Sequence, residues 1–217
     1  GDDEITRKVI SNGKKGKLKV ISKYGIGLDK IDLKSADEFG IKVCKTPGVN
    51  HVTVSEHILA LLFSYYKNIH LEYNITKDGK WERLIGHEIY GKKIGIVGYG
   101  RIGHELAQRS KALGLIVKAY DPYATNKSII DSKVDFFKNI NELVKDIDIL
   151  ALTLPLNEET EGMIDGKIIN SASKKMIIVS TSRALIVNQK DLIKSLKANK
   201  IKAYLTDVLE EEPMIQN

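Results

Sequence analysis

The 217 residues are 42% apolar and 29% charged, close to the averages of soluble globular chains, which excludes a disordered, collagen-like or coiled-coil protein. With 34 basic against 28 acidic residues the net charge is +6. The lysines at 14, 15 and 17 have no aromatic residues between them and charges elsewhere alternate in sign, so a solvated lysine-rich surface is expected and a nucleic-acid partner is not.

The opening GDDEITRKVI lacks the apolar run of a secretory signal. The longest mostly apolar stretch, Ile58 to Phe63, is far short of the roughly 20 residues a membrane span needs. A cytoplasmic protein without a membrane partner is therefore expected. Cys44 is the only cysteine, which fits a reducing compartment. With that cysteine isolated and the histidines scattered, no metal site is expected.

In chain order, Leu18–Ser22 and Ile41–Cys44 read as buried strands, separated by the glycine-rich turn YGIGLD and a polar helix over Leu33–Phe39. A division near residue 50 is expected, with residues 1–50 forming one partial lobe and 51–217 another. Val52 to about Ile69 reads as a long helix, opened by Thr53 with Glu56 at capping-box spacing. Asp78–Tyr90 is polar, holds the only tryptophan, Trp81, and reads as a surface connection.

From about residue 90 short Ile/Val-rich runs alternate with helical spacing. Lys93–Val97, Ile116–Tyr120, Ile147–Leu152, Met176–Ser180 and Ile201–Thr206 are the expected strands. Among the helices Ile102–Leu113 is the clearest, with Gly114 as its stop. This alternation predicts parallel strands joined by helical crossovers, an α/β doubly wound sheet of Rossmann type.

Gly98, Gly100 and Gly103 form G-x-G-x-x-G directly after the first of these strands and before its helix. The first glycine permits a tight turn, the second clears the approach of a pyrophosphate, and the third lets helix and strand pack closely. Amide groups at the helix start then face the phosphates. Asp121 follows Gly103 by 18 residues, at the end of the next strand, where an acid accepts hydrogen bonds from the adenosine ribose. Its charge repels the extra phosphate of NADP, so NAD is the expected cofactor. FAD is disfavoured, because no second flavin-contacting motif is present.

The stretches KVISKYGIGLDKIDL, KTPGVN, KDGKWERLIGHEIYGKKIGIVGYGRIG, LALTLPLNEETEGMI, MIIVSTSRALIV and AYLTDVLEEEP resemble the D-isomer-specific 2-hydroxyacid dehydrogenases, especially the phosphoglycerate dehydrogenase-like members. The resemblance spans nearly the whole chain. It implies two α/β lobes, an NAD-binding Rossmann lobe and part of a flavodoxin-like substrate lobe, with the active site in the cleft between them. It also implies a small 2-hydroxy or 2-keto acid substrate, 3-phosphoglycerate being one candidate. A homodimer or homotetramer is implied too, often formed through the region of the 52–69 helix.

Residue by residue, Arg183 matches the catalytic arginine that grips the substrate carboxylate and keto oxygen. Glu212 matches the acid paired with the catalytic histidine. Arg101 and Ile102 match the pair at the pyrophosphate, and Leu154, Pro155, Thr181, Ser182 and Asp207 match positions lining the adenine and nicotinamide sites. Gly25, Ile26 and Gly27 match the loop that holds the substrate carboxylate, and Lys23 a basic position near the substrate's distal end. The family's histidine lies in a Pro-His motif beyond the acid. Here His51, His57, His70, His87 and His104 all precede Arg183, so an inactive fragment of a longer enzyme is expected. Two departures stand out: Ala184 and Leu185 replace a Gly-Gly pair, and Asn188 replaces an acid. The missing glycines are expected to restrict the turn, while Asn188 still serves as a helix cap. A competing expectation is a corepressor-like module that senses NAD(H) without turnover.

Overall fold

The computed structural model describes residues 3–125, 134–173 and 175–210. The chain divides into two compact units, with the boundary between Asn50 and His51.

The first unit holds α1 (Arg7–Lys15), β1 (Val20–Lys23), α2 (Leu33–Glu38) and β2 (Lys42–Lys45). The two strands pair in parallel, Val20 opposite Lys42 and Lys23 opposite Lys45. Ile10, Ala36 and Ile41 form a small core, joined by Ile21 and Val43 from the inner strand face. The expectation of buried strands is corrected here. Successive side chains alternate between faces and the helices cover one face alone, which leaves Val20 48% exposed and both Lys42 and Cys44 outward. Helix α1 is short and amphipathic, and Ile10 is its single buried residue.

In the second unit α3 spans His51–Tyr66 and α4 spans Ile69–Lys77. The single helix expected to run to Ile69 is thus two. Asn68 adopts a left-handed φ of 56°, and its side-chain amide donates to the Ile85 carbonyl at 3.1 Å, which ends the first helix and ties down the following connection. Because α3 already begins at His51, Thr53 lies inside its first turn, and the expected capping box is not its start. Residues 80–90 form no regular element; Trp81 is exposed and Ile89 is buried as an anchor.

Strands β3 (Lys93–Val97), β4 (Ile116–Tyr120), β5 (Asp135–Phe136), β6 (Ile149–Leu152), β7 (Ile177–Ser180) and β8 (Ala203–Thr206) build one parallel sheet in the order β5-β4-β3-β6-β7-β8. Their helices are α5 (Arg101–Ala112), α6 (Ile140–Leu143), α7 (Gly166–Ser171) and α8 (Gln189–Lys197). The strands are apolar on both sides because both faces are covered. On one face Ile94, Ile96, Ile149, Ala151, Ile177 and Val179 pack with Ile58 and Leu62 of α3 and Leu106 of α5. On the other, Val97, Leu150, Leu152 and Ile178 meet Leu143, Ile168 and Leu192. Truncating any of the fully buried leucines or isoleucines to alanine costs about 2–5 kcal/mol. Helix α5 stops where expected: Gly114 takes φ +79°, the Leu115 amide reaches back to the Ser110 carbonyl at 3.0 Å, and a Cβ at Gly114 would lie 2.3 Å from the Tyr90 ring. That is a Schellman ending.

Candidate dinucleotide site

The ladder register sets the geometry of the site. Val97 pairs with Tyr120 and with Leu152, Leu152 with Ser180, and Ser180 with Thr206, so five strands end in step. The residues that follow them, Gly98, Asp121, Thr153 to Pro155, Thr181 to Arg183, and Asp207, therefore share one edge. β3 leads to β4 on one side, whereas β6 leads to β7 and β8 on the other. The crevice of an open α/β sheet opens at such a reversal.

Each glycine of the turn has its own constraint. Gly98 has φ +91°, and a Cβ there would sit 2.9–3.0 Å from Leu154. At Gly103 it would sit 2.3 Å from the Gly98 carbonyl oxygen, whereas at Gly100 it would meet nothing within 4 Å. The turn is thus closed behind and open in front, at the N-terminus of α5, where Gly100 is the N-cap and no side chain satisfies the first amides. This is a cradle for an anion. Thr153 braces it by donating its hydroxyl to the Gly98 carbonyl at 2.6 Å. A cavity of about 410 Å³ beside the turn is lined by His51, Tyr99, Gly100, Arg101, His104 and Glu105. The Arg109 guanidinium hydrogen-bonds Glu105 and holds its carboxyl below the usual range.

Asp121 directly follows β4, half-buried. Its Oδ2 accepts from the Tyr99 amide at 2.7 Å and its Oδ1 from the Tyr123 amide at 2.8 Å. These bonds aim the carboxylate at the glycine turn, and each oxygen keeps lone-pair capacity for a ribose hydroxyl. Thr181 Oγ1 at the end of β7 and His51 Nδ1 beside the turn are buried without a partner among the described residues. Open cradle, aimed acid and unpartnered buried polar atoms together fit a dinucleotide.

Arg183 follows β7 half-buried, with Nη1 donating to the Ser182 carbonyl at 2.7 Å; the Ser182 hydroxyl in turn donates to the Leu152 carbonyl at 2.9 Å. Ala184–Ile186 form a 3₁₀ turn, and Asn188 Oδ1 accepts from the Asp191 amide to cap α8. Leu154 is buried and Pro155 exposed, Arg101 is exposed, and Ile102 packs half-buried on the core. Asp207 pairs with His57 Nε2 at 3.4 Å, a partnership that no sequence spacing announces, since the two lie 150 residues apart. In the first unit Lys23 ends β1, and Gly25, with φ +145°, donates its amide to Thr46 Oγ1 at 2.9 Å. Ile26 and Gly27 continue that turn. Glu212 lies outside the described residues.

A parallel sheet ending in a glycine cradle and an aimed acid defines a dinucleotide-binding Rossmann domain. Residues 59–217 match the NAD-binding domain of the D-isomer specific 2-hydroxyacid dehydrogenases; the chain belongs to this family, and its cofactor is NAD(H). It is 38% identical to D-3-phosphoglycerate dehydrogenase of Methanocaldococcus jannaschii over 99% of its own length and 41% of the relative's. It is 36% identical to hydroxypyruvate reductase of Thermotoga maritima over 97% of its length and 67% of the relative's. The chain thus spans between about two-fifths and two-thirds of these relatives. Among solved structures, D-lactate dehydrogenase of Escherichia coli superposes with a TM-score of 0.87 at 29% identity, over 98% of this chain and 67% of that one. Among the described residues no helix is long and apolar enough to cross a membrane, and no group of three or more potential metal ligands is found.

Proposed function

We propose that the whole protein moves a hydride between NAD and C2 of a small D-2-hydroxy acid, with the 2-keto acid as oxidised partner. The observation that carries this reading is the in-step ending of five strands, which puts Gly98–Gly103, Asp121, Arg183 and Asp207 on one edge. When bound, NAD supplies or accepts the hydride. The protein's part is to bind and to polarise. The cradle and Arg101 hold the pyrophosphate, Asp121 the adenosine ribose, and Leu154, Pro155, Thr181, Ser182 and Asp207 flank the rest. Arg183 presents a planar fork of donors that suits a carboxylate and an adjacent keto oxygen, and it stabilises negative charge developing on that oxygen.

Residues 1–50 are assigned to a substrate lobe. Thr46 occupies the Gly25 amide, so the carboxylate-holding role falls to Ile26 and Gly27, and Lys23 is assigned to a distal phosphate. With that assignment the substrate would be a phosphorylated one such as 3-phosphoglycerate. Glu212 is assigned the acid that raises the pKa of a catalytic histidine. Large exposed apolar side chains gather in residues 69–90, with Trp81 87%, Ile85 85% and Tyr90 74% exposed. Exposed apolar side chains of this size support a homo-oligomer, which light scattering on wild type and Ile85→Asp tests.

The decisive experiment measures NADH oxidation by the full-length protein against 2-keto acids with and without a distal phosphate. Arg183→Gln is expected to lower kcat/KM by about 10²- to 10³-fold while NADH affinity stays unchanged. Undiminished turnover by that variant would overturn the assignment. Lys23→Gln should raise KM for the phosphorylated substrate alone.

A further inference from the structure

Among the described residues, a long-range contact joins the loops that follow β4 and β6. The Tyr123 hydroxyl donates a hydrogen bond to Glu159 Oε2 across a separation of 36 residues. That bond holds the Tyr123 hydroxyl above its ordinary pKa, with the Glu159 and Asp121 charges adding to it.

Both ends of the contact are anchored. The Tyr123 amide donates to Asp121 Oδ1 at 2.8 Å, so the ring starts beside the ribose-binding acid. On the other side Asn157 Oδ1 accepts from the amides of Glu159 and Thr160, both at 3.0 Å. The Thr160 hydroxyl donates to the Pro155 carbonyl at 2.7 Å and accepts from the Asn157 amide at 2.9 Å. The turn presenting Glu159 is therefore fixed by its own side chains rather than left as a loose acidic loop.

Strand order gives the contact its place. β4 and β6 flank β3, and neighbouring strands lie about 4.8 Å apart, so their ends are separated by roughly 10 Å. The Tyr123–Glu159 contact joins the loops on either side of β3, and Tyr123 lies two residues beyond Asp121, the acid assigned to the adenosine half of a dinucleotide. Asp121 already shares its two oxygens with two backbone amides, which temper its field. Glu159 adds a second full charge at the same end.

We propose that Glu159, tethered by Tyr123, is a second anionic specificity determinant that works with Asp121 to turn away dinucleotides carrying a 2′-phosphate. The inference rests on the dinucleotide reading of this edge. A partly screened carboxylate within about 7 Å of a doubly charged phosphate changes affinity by about three- to tenfold, while the uncharged 2′-hydroxyl of NADH is indifferent to it.

The test is calorimetric titration of the full chain with NADH and, by displacement of NADH, with NADPH. Glu159→Gln should tighten NADPH binding by about three- to tenfold and move NADH binding less than about twofold. Tyr123→Phe should shift the same ratio in the same direction by less, because the carboxylate stays but loses its tether. Both side chains are exposed, so thermal melts of the variants should match the wild type. An unchanged NADPH-to-NADH ratio in Glu159→Gln overturns the proposal. Equal shifts for both cofactors overturn it too, since the contact would then gate entry without sorting. Wild type that fails to bind NADH overturns the dinucleotide reading along with it.

Discussion

Where β3 and β6 begin, Asp146 receives Lys93 Nζ at 2.5 Å and, from the middle of β4, Lys118 Nζ at 2.6 Å, and Asp148 accepts the Lys93 amide at 2.9 Å. Where the strands of the six-stranded sheet end, the first amides of α5 point outward and Thr181 Oγ1 is buried with no partner among the described residues. One edge has matched its charges internally, while the other keeps donors in reserve. A shared ladder thus supports a stabilising edge and a candidate binding edge, and mutations at each should fail in different assays.

The largest break is expected at the binding edge. Gly103→Val drives a side chain into the Gly98 carbonyl oxygen, 2.3 Å from the position of its Cβ. It should cost about 3 kcal/mol, the upper end of overpacking, and abolish NADH binding, read by denaturant melts and titration. Asp121→Ala is next: losing a charged acceptor is worth about 1.5–3 kcal/mol, so NADH affinity should fall about 10- to 100-fold, and the melting temperature should fall too because the Tyr99 and Tyr123 amides lose their acceptor. A variant that binds NADH as well as wild type would remove Asp121 from the site.

At the stabilising edge the effect is smaller and depends on pH. Hydrogen bonds from Lys118 and then Lys93 lower Asp146 from 3.8 to about 2. The folded state therefore gains stability that is present above pH 3.8 and is lost as pH falls through about 2. Asp146→Asn should lower the urea midpoint near neutrality and leave NADH affinity alone. The gap to wild type should close towards pH 2; a gap independent of pH would show that the lysine bonds, and not the charge, stabilise this edge.

Much of the binding edge is legible in the sequence because its determinants are local. Gly98, Gly100 and Gly103 sit between an apolar strand and an amphipathic helix, and the acid follows at the expected separation. The division near residue 50 is read from a change of rhythm, and the described units meet at Asn50–His51. Other features escape for physical reasons. The halt of α3 depends on one asparagine at positive φ, whose partner, the Ile85 carbonyl, lies in an irregular segment. The short β5 has too few residues to carry a pattern. His57–Asp207 and Tyr123–Glu159 join residues whose proximity exists only after the sheet has formed, so no spacing rule reaches them. The strands of the first unit look buried because Ile and Val fill them, yet period-two alternation hides only one of their faces.

The 3₁₀ turn after Arg183 has a consequence in the unfolded chain. Neither Ala184 nor Leu185 adopts a positive φ, so a glycine at either position would add freedom that the folded turn does not use. Each side chain narrows the conformations open to the denatured ensemble, a gain of about 0.4–1 kcal/mol per residue in favour of folding. The backbone that carries the arginine thus loses less conformational entropy when it orders, and the guanidinium is presented by a segment that already favours its folded shape before any ligand arrives.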